Sequence, residues 1–575
     1  MNDQAMQPES RRATVEALRA HPNSTVLIVG GGINGIATFR DLALQGVDVT
    51  LVERNDYCSG ASAASSHMIH GGIRYLENGE FRLVKESVTE RNGLIKIAPH
   101  YVKPLETTVP IFSTLSGIIS APLRFLTHKQ GKPQERGALL IKVGLTLYDA
   151  FSRDGGTVPR HKFVGKKKAL QALPKLNSGI KYTATYFDAS VHDPERLALD
   201  VLHDGLAAGP HARAANYVEA VGVEGSSVRL RDTLSGDEFV MTADVVINAS
   251  GPWTDLTNSA LGQPTNLMGG TKGSHIVLDN PALLAATGGR EIFFEHKDGR
   301  IVLIYPLKGK VMVGTTDLEA DPREKAVCTE EEVDYFFELI EHVFPDVPVD
   351  RSEIVYRFSG IRPLPGHGDL APGFVSRDYR IVPSQLGSST MLSLVGGKWT
   401  TFRALAEHLT NDTLALLGRE RTVSTLGMPI GGGVGFPKTD GAMKVWLADN
   451  SREVGKDRAA QLLERYGMHA SAIIEELAES GDTPLASAPT YSVQEIERIV
   501  RTESVVHLTD VLQRRTSIAF TGGASSELLV ELAGILAKVL SWTEEETRAE
   551  VQAAAEILSS EHGVQVKALE TGANA

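Results

Sequence analysis

The pattern of apolar residues near the N-terminus predicts a βαβ unit. Residues 26–29 (VLIV) form a short run of largely β-branched side chains, which is typical of a buried strand. After a glycine-rich turn, residues 36–45 are predicted as a helix that ends at Gly46, and residues 47–52 as a second apolar strand. Because crossovers between parallel strands are right-handed, these two strands are expected to be parallel neighbours.

The middle of the chain alternates strand-like and helical stretches. Residues 195–208 are predicted as a helix. Several strand-like stretches alternate apolar and polar residues, which favours an additional antiparallel or mixed sheet built from interrupted segments. These strands are predicted at 215–224, 244–249, 274–278, 300–305 and 311–314.

The pattern becomes helical after residue 400. A helix is predicted over 401–418, and residues 427–437, which contain three consecutive glycines and two prolines, are predicted as a linker. From residue 442 to residue 558 the apolar residues recur at helical spacing, so an all-helical C-terminal domain is expected.

Composition excludes several classes of protein. Hydrophobic residues make up 42% of the chain and charged residues 22%, which is ordinary for a globular protein. The 58 Lys and Arg against 71 Asp and Glu give a net charge of −13, which disfavours nucleic acid as a partner. Two cysteines, Cys58 and Cys328, favour a reducing compartment. Neither an apolar span of ~20 residues nor a signal core is found, so export and membrane insertion are not expected.

A dinucleotide fingerprint lies between the first strand and the first helix. Gly30 permits a tight turn, Gly32 lets the backbone approach a pyrophosphate, and Gly35 lets helix and strand pack closely. Asn34 lies within this motif, and its helix N-terminus offers unpaired N–H groups to phosphates. Glu53 ends the second strand, where a carboxylate can bind ribose hydroxyls. The motif alone does not distinguish FAD from NAD.

A second segment of small residues, 60–67 (GASAASSH), follows Glu53 closely. Small side chains and hydroxyls suit a backbone that wraps around a pyrophosphate or a flavin, and a nicotinamide enzyme seldom needs such a segment, so FAD is favoured. A surface loop is the alternative interpretation. The predicted cofactor contacts here are Ser65, Ser66, His70, Gly71 and Gly72.

These motifs resemble the FAD-dependent glycerol-3-phosphate dehydrogenases of the D-amino-acid-oxidase-like superfamily. The resemblance covers roughly residues 24–560, and the run 70–77 (HGGIRYLE) is its most specific part. His67 departs from the family, whose members often carry Lys at this position, so a cationic role there requires protonation.

The resemblance and the patterns together predict an α/β fold, or α+β overall. It consists of a Rossmann-like FAD-binding domain, an interleaved substrate domain with a mixed β-sheet, and an all-helical C-terminal domain. The predicted boundaries are an N-terminal extension at 1–24, the FAD-binding domain with its interleaved segments at 25–420, a linker at 421–440, and the helical domain at 441–575.

The resemblance also implies the catalytic and substrate-binding residues. His275, in the run 272–275 (KGSH), is expected to face substrate and flavin and to accept the C2 hydroxyl proton while hydride moves to flavin N5. Arg362 could instead polarise that hydroxyl. If Arg74, Arg362 and Arg377 converge, their planar guanidinium groups could hold a dianionic phosphate. Tyr75, beside Arg74, is assigned to the substrate as well.

The run 396–401 (GGKWTT) resembles the family's flavin-contact turn. Its amides would point at the flavin pyrimidine edge, with Lys398 adding a cation near flavin and substrate, so Lys398 is also counted among the catalytic and substrate-binding residues. A simple N-cap by Thr400 is compatible with this role. The remaining predicted cofactor contacts are Gly251, Gly397, Thr400 and Thr401.

The family resemblance implies a quinone acceptor and peripheral attachment to the inner face of the cell membrane, with the protein otherwise cytoplasmic. Residues 118–126 and the basic run 160–168 are the candidate docking segments; the alternative is a core helix and a solvated charge run. The helical domain is expected to serve packing, homodimer contact or partner binding.

The predicted function is oxidation of sn-glycerol 3-phosphate to dihydroxyacetone phosphate, with FAD carrying electrons to the quinone. Three alternatives stay open at this point: an oxidase that reduces O2 to H2O2, an amine or amino-acid oxidase of the same superfamily, and a flavin-binding protein without turnover. No metal site is predicted, because the sequence contains neither a zinc H-E-x-x-H pair nor a Walker lysine motif.

Overall fold

The computed structural model describes residues 11–72, 81–113, 141–142, 145–146, 148–149, 158–296, 300–366 and 378–566. These residues form two β-sheets, helices that cover them, and a helical C-terminal part, which confirms the predicted fold class. The strands are β1 Asn23–Val29, β2 Val49–Val52, β3 Met68–Ile69, β4 Val102–Ile111, β5 Lys162–Gly165, β6 Tyr182–Val191, β7 Ala212–Ala215, β8 Val218–Glu224, β9 Ser227–Asp232, β10 Glu238–Asn248, β11 Thr271–Leu278, β12 Glu291–Glu295, β13 Ile301–Leu307, β14 Lys310–Gly314, β15 Leu318–Glu319, β16 Ile354–Arg362, β17 Arg380–Leu386 and β18 Ser389–Val395.

The first sheet has a parallel core in the order β18-β10-β1-β2-β7. β17 pairs antiparallel with β18 at one edge, and β8 and β9 extend the first half of β10 as an antiparallel flap. The predicted βαβ unit is β1, the helix Ile33–Leu44 and β2, and its strands are parallel neighbours as expected. All four residues of β2 are buried, as both faces of a parallel sheet are covered.

The second sheet is built from separated segments of the chain, as predicted. Its order is β15-β11-β14-β13-β12-β4-β6-β3, with β16 beside β11 and β5 beside β6. Only the β4–β12 pair is parallel among the described residues, so the sheet is mixed. β11 lies between β14 and β16, and this position becomes important for the active site.

The described α-helices surround both sheets and form the C-terminal domain. They are Arg11–Ala20, Ile33–Leu44, Phe81–Ile97, Lys166–Ala172, Pro194–Leu206, Thr254–Ala260, Pro281–Thr287, Glu330–Val343, Phe402–Leu416, Asp440–Asn450, Lys456–Tyr466, Ala470–Ser480, Val493–Thr502, Leu508–Asp510, Ser526–Leu540 and Glu544–His562. The C-terminal helices share a hydrophobic core with the second sheet, in which Leu532 and Leu536 join Phe358 and Met312.

The strand predicted at 215–224 is β8, Val218–Glu224, whereas Ala215 ends the separate strand β7. β7 pairs with β2, whereas β8 pairs with β9. Between them, the Asn216 amide donates to Asp56, and Tyr217 adopts a positive φ of 57°. The chain therefore turns at a side-chain hydrogen bond that local hydrophobicity does not report.

The predicted N-terminal extension is partly an integral element of the fold. Residues 11–20 form a helix that buries Val15 and Leu18 in the core on one face of the first sheet. Arg11 also donates to the buried Asp232 at 2.6 Å. An apolar pair at i and i+3 is enough to dock this short helix, although it lacks the length of a confident sequence pattern.

The three consecutive glycines of the predicted linker, Gly431 to Gly433, are buried. A Cβ at Gly432 would overlap the carbonyl oxygen of Tyr466, and one at Gly433 would overlap that of Ile97. The run therefore allows backbones to approach closely, instead of giving a flexible connection.

Among the residues that the structure describes, none of the helices combines the length and the apolar character that a membrane span requires.

Candidate active site

Four predicted cofactor segments follow the carboxyl ends of neighbouring parallel strands. The fingerprint turn follows β1, Glu53 follows β2, Gly251 follows β10, and Gly396-Gly397 follow β18. In open α/β sheets, ligands bind in the crevice outside these strand ends. The topology therefore brings together loops that are as much as 367 positions apart (Gly30 and Gly397) in the chain.

Two of the three fingerprint glycines, Gly30 and Gly35, are required by close backbone contacts. Gly30 has φ +117°, and a Cβ there would lie 2.6 Å from the carbonyl oxygen of Ala249. A Cβ at Gly35 would overlap the Gly30 carbonyl oxygen, so this glycine lets the helix pack against the turn. At Gly32, a Cβ would come within 3.2 Å of the Ser62 hydroxyl oxygen.

Glu53 holds the fingerprint turn by its side chain. Its carboxylate accepts a hydrogen bond from the Gly31 N–H at 2.7 Å and another from the Asn55 N–H at 2.9 Å. Burial raises the pKa of Glu53, although these two N–H donors oppose the shift. Each carboxylate oxygen accepts one backbone N–H, and the remaining lone pairs can accept from a polar ligand at the strand end.

The predicted flavin-contact turn touches both the fingerprint and the run 70–77. Gly397 has φ +105°, and a Cβ there would overlap the Asn34 amide. The Thr400 hydroxyl accepts a hydrogen bond from the His70 N–H at 3.1 Å. The Lys398 ammonium donates to the Ser87 hydroxyl at 2.9 Å. The structure thus brings these separately predicted loops into one place.

His275 connects the cofactor segment to the second sheet. Its Nε2 lies 2.8 Å from the Ser66 hydroxyl. The ring stacks on Phe358 of β16, with centroids 4.7 Å apart and planes 10° apart, and on its other side a Cβ at Gly314 of β14 would lie 2.7 Å from Nε2. Phe358 and Gly314 are the direct cross-strand partners of His275, so sheet register fixes the imidazole.

The imidazole of His275 is neutral in this environment. The side chain is only 2% exposed. Burial lowers its pKa well below the usual 6.5, and the nearby positive charge of Arg362 lowers it further. A neutral imidazole can accept a proton, which the protonated form cannot do.

Arg362 lies near His275 and is oriented by several acceptors. Its Nη1 donates to Asp317 at 2.9 Å, and its Nη2 donates to the Thr315 hydroxyl at 2.9 Å and the Thr316 carbonyl at 3.0 Å. The guanidinium crosses the backbone at Gly273, where a Cβ would overlap it. The ion pair with Asp317 fixes its direction and partly offsets its charge.

Glu332 supports this part of the site from behind and was not predicted from the sequence. Its carboxylate accepts hydrogen bonds from Ser274 at 2.8 Å, Thr316 at 2.6 Å and Lys272 at 2.8 Å. Burial alone would raise the pKa of Glu332, but these partners hold it below the ordinary value. Ser274, the chain neighbour of His275, and Thr316, whose carbonyl accepts from Arg362, therefore both donate to the same buried carboxylate.

Asp188 is a second buried carboxylate that the sequence analysis missed. It accepts hydrogen bonds from the His70 Nδ1 at 2.7 Å, the Gly71 N–H at 2.8 Å, the Tyr148 hydroxyl at 2.8 Å and Arg91 at 3.2 Å. Burial would raise the pKa of Asp188, but His70 and Arg91 prevail and lower it. A lone Asp in the apolar strand 182–191 is the signal that could have found it.

His67 is buried and neutral, so it does not replace the family's cation. Burial lowers its pKa to about 4. Its Nδ1 lies 3.1 Å from the Val191 carbonyl oxygen, and its ring packs against Phe520 at 5.2 Å. The position is therefore part of the packing beside His275.

Several predicted residues cannot be placed. Arg74, Tyr75 and Arg377 lie outside the described residues, as does the segment 118–126. The expected convergence of three arginines therefore stays a prediction. Gly72 and Gly251 are described, and both have a positive φ, 84° and 62°.

The residues at the strand ends fit a large polar cofactor. The side-chain oxygens of Asn34 and Thr401 are buried and have no hydrogen-bond partner in the described protein, and neither has Nδ1 of His275. Buried polar atoms are normally satisfied, so these atoms are suited to a ligand. The glycine turns supply the backbone approach that a pyrophosphate requires. In the described ranges, no group of three potential metal ligands occurs.

Comparisons with known proteins show which family the chain belongs to. A model of the family described as FAD dependent oxidoreductase matches residues 25–403, and one described as the C-terminal domain of alpha-glycerophosphate oxidase matches residues 389–547. A glycerol-3-phosphate dehydrogenase of Synechocystis sp. is 32% identical over 561 residues, which span 92% of this chain and 95% of that protein. The mitochondrial glycerol-3-phosphate dehydrogenase of Homo sapiens is 28% identical over 595 residues, spanning 97% and 76%.

The fold is also shared with a solved structure. The X-ray structure of the glycerol-3-phosphate dehydrogenase from Bacillus halodurans complexed with FAD superposes with a TM-score of 0.72, at 22% identity, over 96% of this chain and 98% of that one. Together, the family model, the full-length relative and the strand-end crevice show that the chain belongs to the FAD-dependent oxidoreductases, in the family of the FAD-dependent glycerol-3-phosphate dehydrogenases.

Proposed function

We propose that this protein is an FAD-dependent sn-glycerol-3-phosphate dehydrogenase that produces dihydroxyacetone phosphate and passes its electrons to a membrane quinone. The names of the two relatives above support the substrate. The observation that carries the proposal is the buried, neutral His275 near the oriented Arg362. Ser66, in the predicted cofactor segment, lies within hydrogen-bond distance of His275.

The proposed chemistry is oxidation of a secondary alcohol. FAD, when bound, supplies a two-electron acceptor for the hydride that leaves C2. His275 accepts the hydroxyl proton at Nε2, the nitrogen that faces Ser66, so the C–O bond becomes a carbonyl. Arg362 directs its guanidinium at the alcohol oxygen or the phosphate, and Asp317 keeps that direction. Burial at the site excludes water and strengthens these contacts.

The cofactor contacts form the second part of the proposal. The turn at Gly30, Gly32 and Gly35 holds the pyrophosphate, and Glu53 holds the adenosine ribose. The remaining proposed cofactor contacts are Asn34, Ser65, Ser66, His70, Gly71, Gly72, Gly251, Gly397, Lys398, Thr400 and Thr401. Arg74, Tyr75, Arg377 and Lys398 are proposed to bind the substrate.

Anaerobic reduction is the direct test of this function. Adding glycerol 3-phosphate to the FAD-loaded protein without air should bleach the visible flavin band, whereas glycerol, which lacks the phosphate, should not. A soluble quinone should then restore the band much faster than air does. No bleaching would refute the dehydrogenase activity, and rapid formation of one peroxide per flavin on aeration would favour an oxidase.

Substitution of Arg362 tests the substrate contact. Arg362→Lys keeps the charge but loses the planar fork, so we expect kcat/KM for glycerol 3-phosphate to fall by roughly 10²-fold or more while FAD stays bound. Arg323, whose side chain is 70% exposed, offers a matched control as Arg323→Lys. An unchanged kcat/KM in Arg362→Lys would remove this residue from the proposed site.

Peripheral attachment at the inner face of the cell membrane is proposed on the basis of an exposed basic surface. Lys162, Lys166, Lys167 and Lys168 lie exposed on β5 and the following helix, and no ion pair is found for them among the described residues. Clustered cations on an acidic protein can bind anionic lipid, at about 1 kcal/mol each.

Vesicle sedimentation tests this surface. The triple variant Lys166→Glu, Lys167→Glu, Lys168→Glu should lose binding to vesicles of mixed phosphatidylcholine and phosphatidylglycerol. The matched control replaces three exposed lysines outside this surface, Lys438, Lys444 and Lys456, in the same way. Equal binding by both variants would contradict this docking surface.

A further inference from the structure

One short segment of the helical domain contacts both ends of the proposed cofactor site. We name residues 510–522 the bracing segment. It begins at the end of the helix Leu508–Asp510, continues through a π-helical turn at Val511–Arg515, and ends in a loop beneath the second sheet. It contacts the first domain, residues 25–420, through arginine side chains at one end and through Phe520 at the other.

The first end of the bracing segment binds Asp56. Arg514 Nε donates to Asp56 Oδ2 at 2.5 Å, and Arg515 donates to both carboxylate oxygens at 2.6 and 2.8 Å. Asp56 and Arg515 are fully buried. Burial alone would raise the pKa of Asp56, but the two arginines lower it, so the carboxylate stays charged.

Asp56 belongs to the loop that shapes the adenosine end of the site. Three residues earlier, Glu53 accepts the Gly31 N–H at 2.7 Å. Two residues later, the Cys58 N–H donates to the Gly31 carbonyl at 2.9 Å. The loop is thus bonded to the fingerprint turn on both sides of Asp56, and the arginines of the helical domain set where it lies.

The charges at this contact form a closed network. Arg514 also donates to Asp510 at 2.6 Å, which in turn accepts the Tyr217 hydroxyl at 2.7 Å. Arg515 also donates to the Glu503 carbonyl at 2.8 Å. Because the buried Asp56 has these counter-charges only when the helical domain is docked, the contact depends strongly on docking.

The second end of the bracing segment supports His275. Phe520 lies 5.2 Å from the His67 ring and 6.3 Å from the Phe358 ring, centroid to centroid. Phe358 stacks on His275. Removing the bracing segment would therefore take away a packing partner of Phe358, the ring that stacks on His275.

We infer that the bracing segment links FAD binding to docking of the helical domain, and that Arg514, Arg515 and Phe520 are positioning residues for the two ends of the site. The adenosine half of this inference needs only the cofactor, whereas the His275 half rests on the proposed function. Linkage is reciprocal: if docking strengthens FAD binding, FAD strengthens docking by the same factor.

The FAD dissociation constant of apo-protein variants tests the adenosine half. Arg514→Met should weaken FAD binding tenfold or more, within the usual range of roughly 5- to 150-fold for such coupling, and Arg514→Lys should restore much of it. Arg458 is the matched control: its side chain is similarly buried and pairs with Asp482 and Glu495, but within the helical domain. Arg458→Met should leave FAD affinity near that of the wild type.

Two outcomes would overturn this half. If both Met variants weaken FAD binding alike, the effect is general destabilisation; if neither does, the contact does not set the affinity for FAD.

Hydrogen exchange in the wild-type protein tests the linkage even when a variant fails to fold. FAD should slow exchange in residues 510–522 but not in residues 456–480, and equal exchange with and without FAD would refute the linkage.

Anaerobic flavin reduction tests the His275 half. Phe520→Leu should lower the rate at saturating substrate roughly tenfold, with the FAD dissociation constant unchanged. Phe436→Leu is the control, because Phe436 is another aromatic residue beyond the first domain and stacks on His100, at 5.9 Å. An unchanged rate in Phe520→Leu would refute the positioning role. If the wild type itself is not reduced by glycerol 3-phosphate, the proposed function fails, while the FAD measurements still decide the linkage.

Discussion

Substitution of Gly314 by Ala tests whether sheet register sets the position of His275. The added Cβ would lie 2.7 Å from Nε2 and 2.9 Å from Cγ of the imidazole, and closer still to Cδ2, whereas ordinary contact begins at 3.4 Å. The ring cannot retreat easily, because Phe358 stacks 4.7 Å away and the Ser66 hydroxyl lies 2.8 Å from Nε2. It must therefore shift by roughly half an ångström or more, away from the position that accepts a proton.

The expected cost is a loss of roughly 10- to 100-fold in the rate of flavin reduction, since a misplacement near 1 Å can cost about 10²-fold. Stopped-flow bleaching under anaerobic conditions measures this rate directly. The FAD dissociation constant should not change, as Gly314 does not contact the fingerprint turn. Gly93→Ala is the control, because a Cβ at Gly93 meets nothing within 4 Å. A Gly314→Ala enzyme that is reduced within twofold of the wild-type rate would refute the argument.

Three further predictions follow from other parts of the site. Gly32→Val should abolish tight FAD binding, since even a Cβ comes within 3.2 Å of the Ser62 hydroxyl, and full flavin occupancy after purification would contradict this. Asp188→Asn should lower the free energy of unfolding by about 3–5 kcal/mol, because the fully buried Arg91 loses its counter-charge, and a denaturation midpoint equal to wild type would oppose this. Because the pKa of His275 lies below 6.5, the reduction rate should stay constant down to pH 6.5 and fall only at lower pH. This prediction would be contradicted if the rate of the wild type fell above pH 6.5 and that fall were absent in His275→Asn.

The geometry of the fingerprint turn could be predicted because its signals are local. A glycine motif between an apolar strand and a helix has one structural meaning, and the acid that ends the next strand lies at a fixed spacing. The observed turn has the close contacts that this interpretation requires at Gly30 and Gly35. The contact of Gly397 with Asn34 supports the proposed flavin-contact turn, which was predicted from spacing together with resemblance.

The buried carboxylates Glu332 and Asp188 could not be predicted, because each bonds to residues that are distant in the sequence. Glu332 reaches Ser274 and Thr316 from a helix whose acidic first turn looks like ordinary capping. Asp188 meets His70 and Arg91 only after β6 pairs with β3 and β4. A buried charge has no periodic signature, so its partners appear only when the strands are paired.

The sequence by itself determined the βαβ unit, the helical C-terminal domain and the chemical types of the proposed site residues, because hydrophobic period, glycine and capping preferences are properties of short segments. Tertiary structure alone decided that Phe358 and Gly314 enclose His275, that the glycines at 431–433 are buried, and that Arg514 and Arg515 meet Asp56. These contacts join residues tens to hundreds of positions apart. Strand pairing and domain docking create them, and neither is encoded within a window of neighbouring residues.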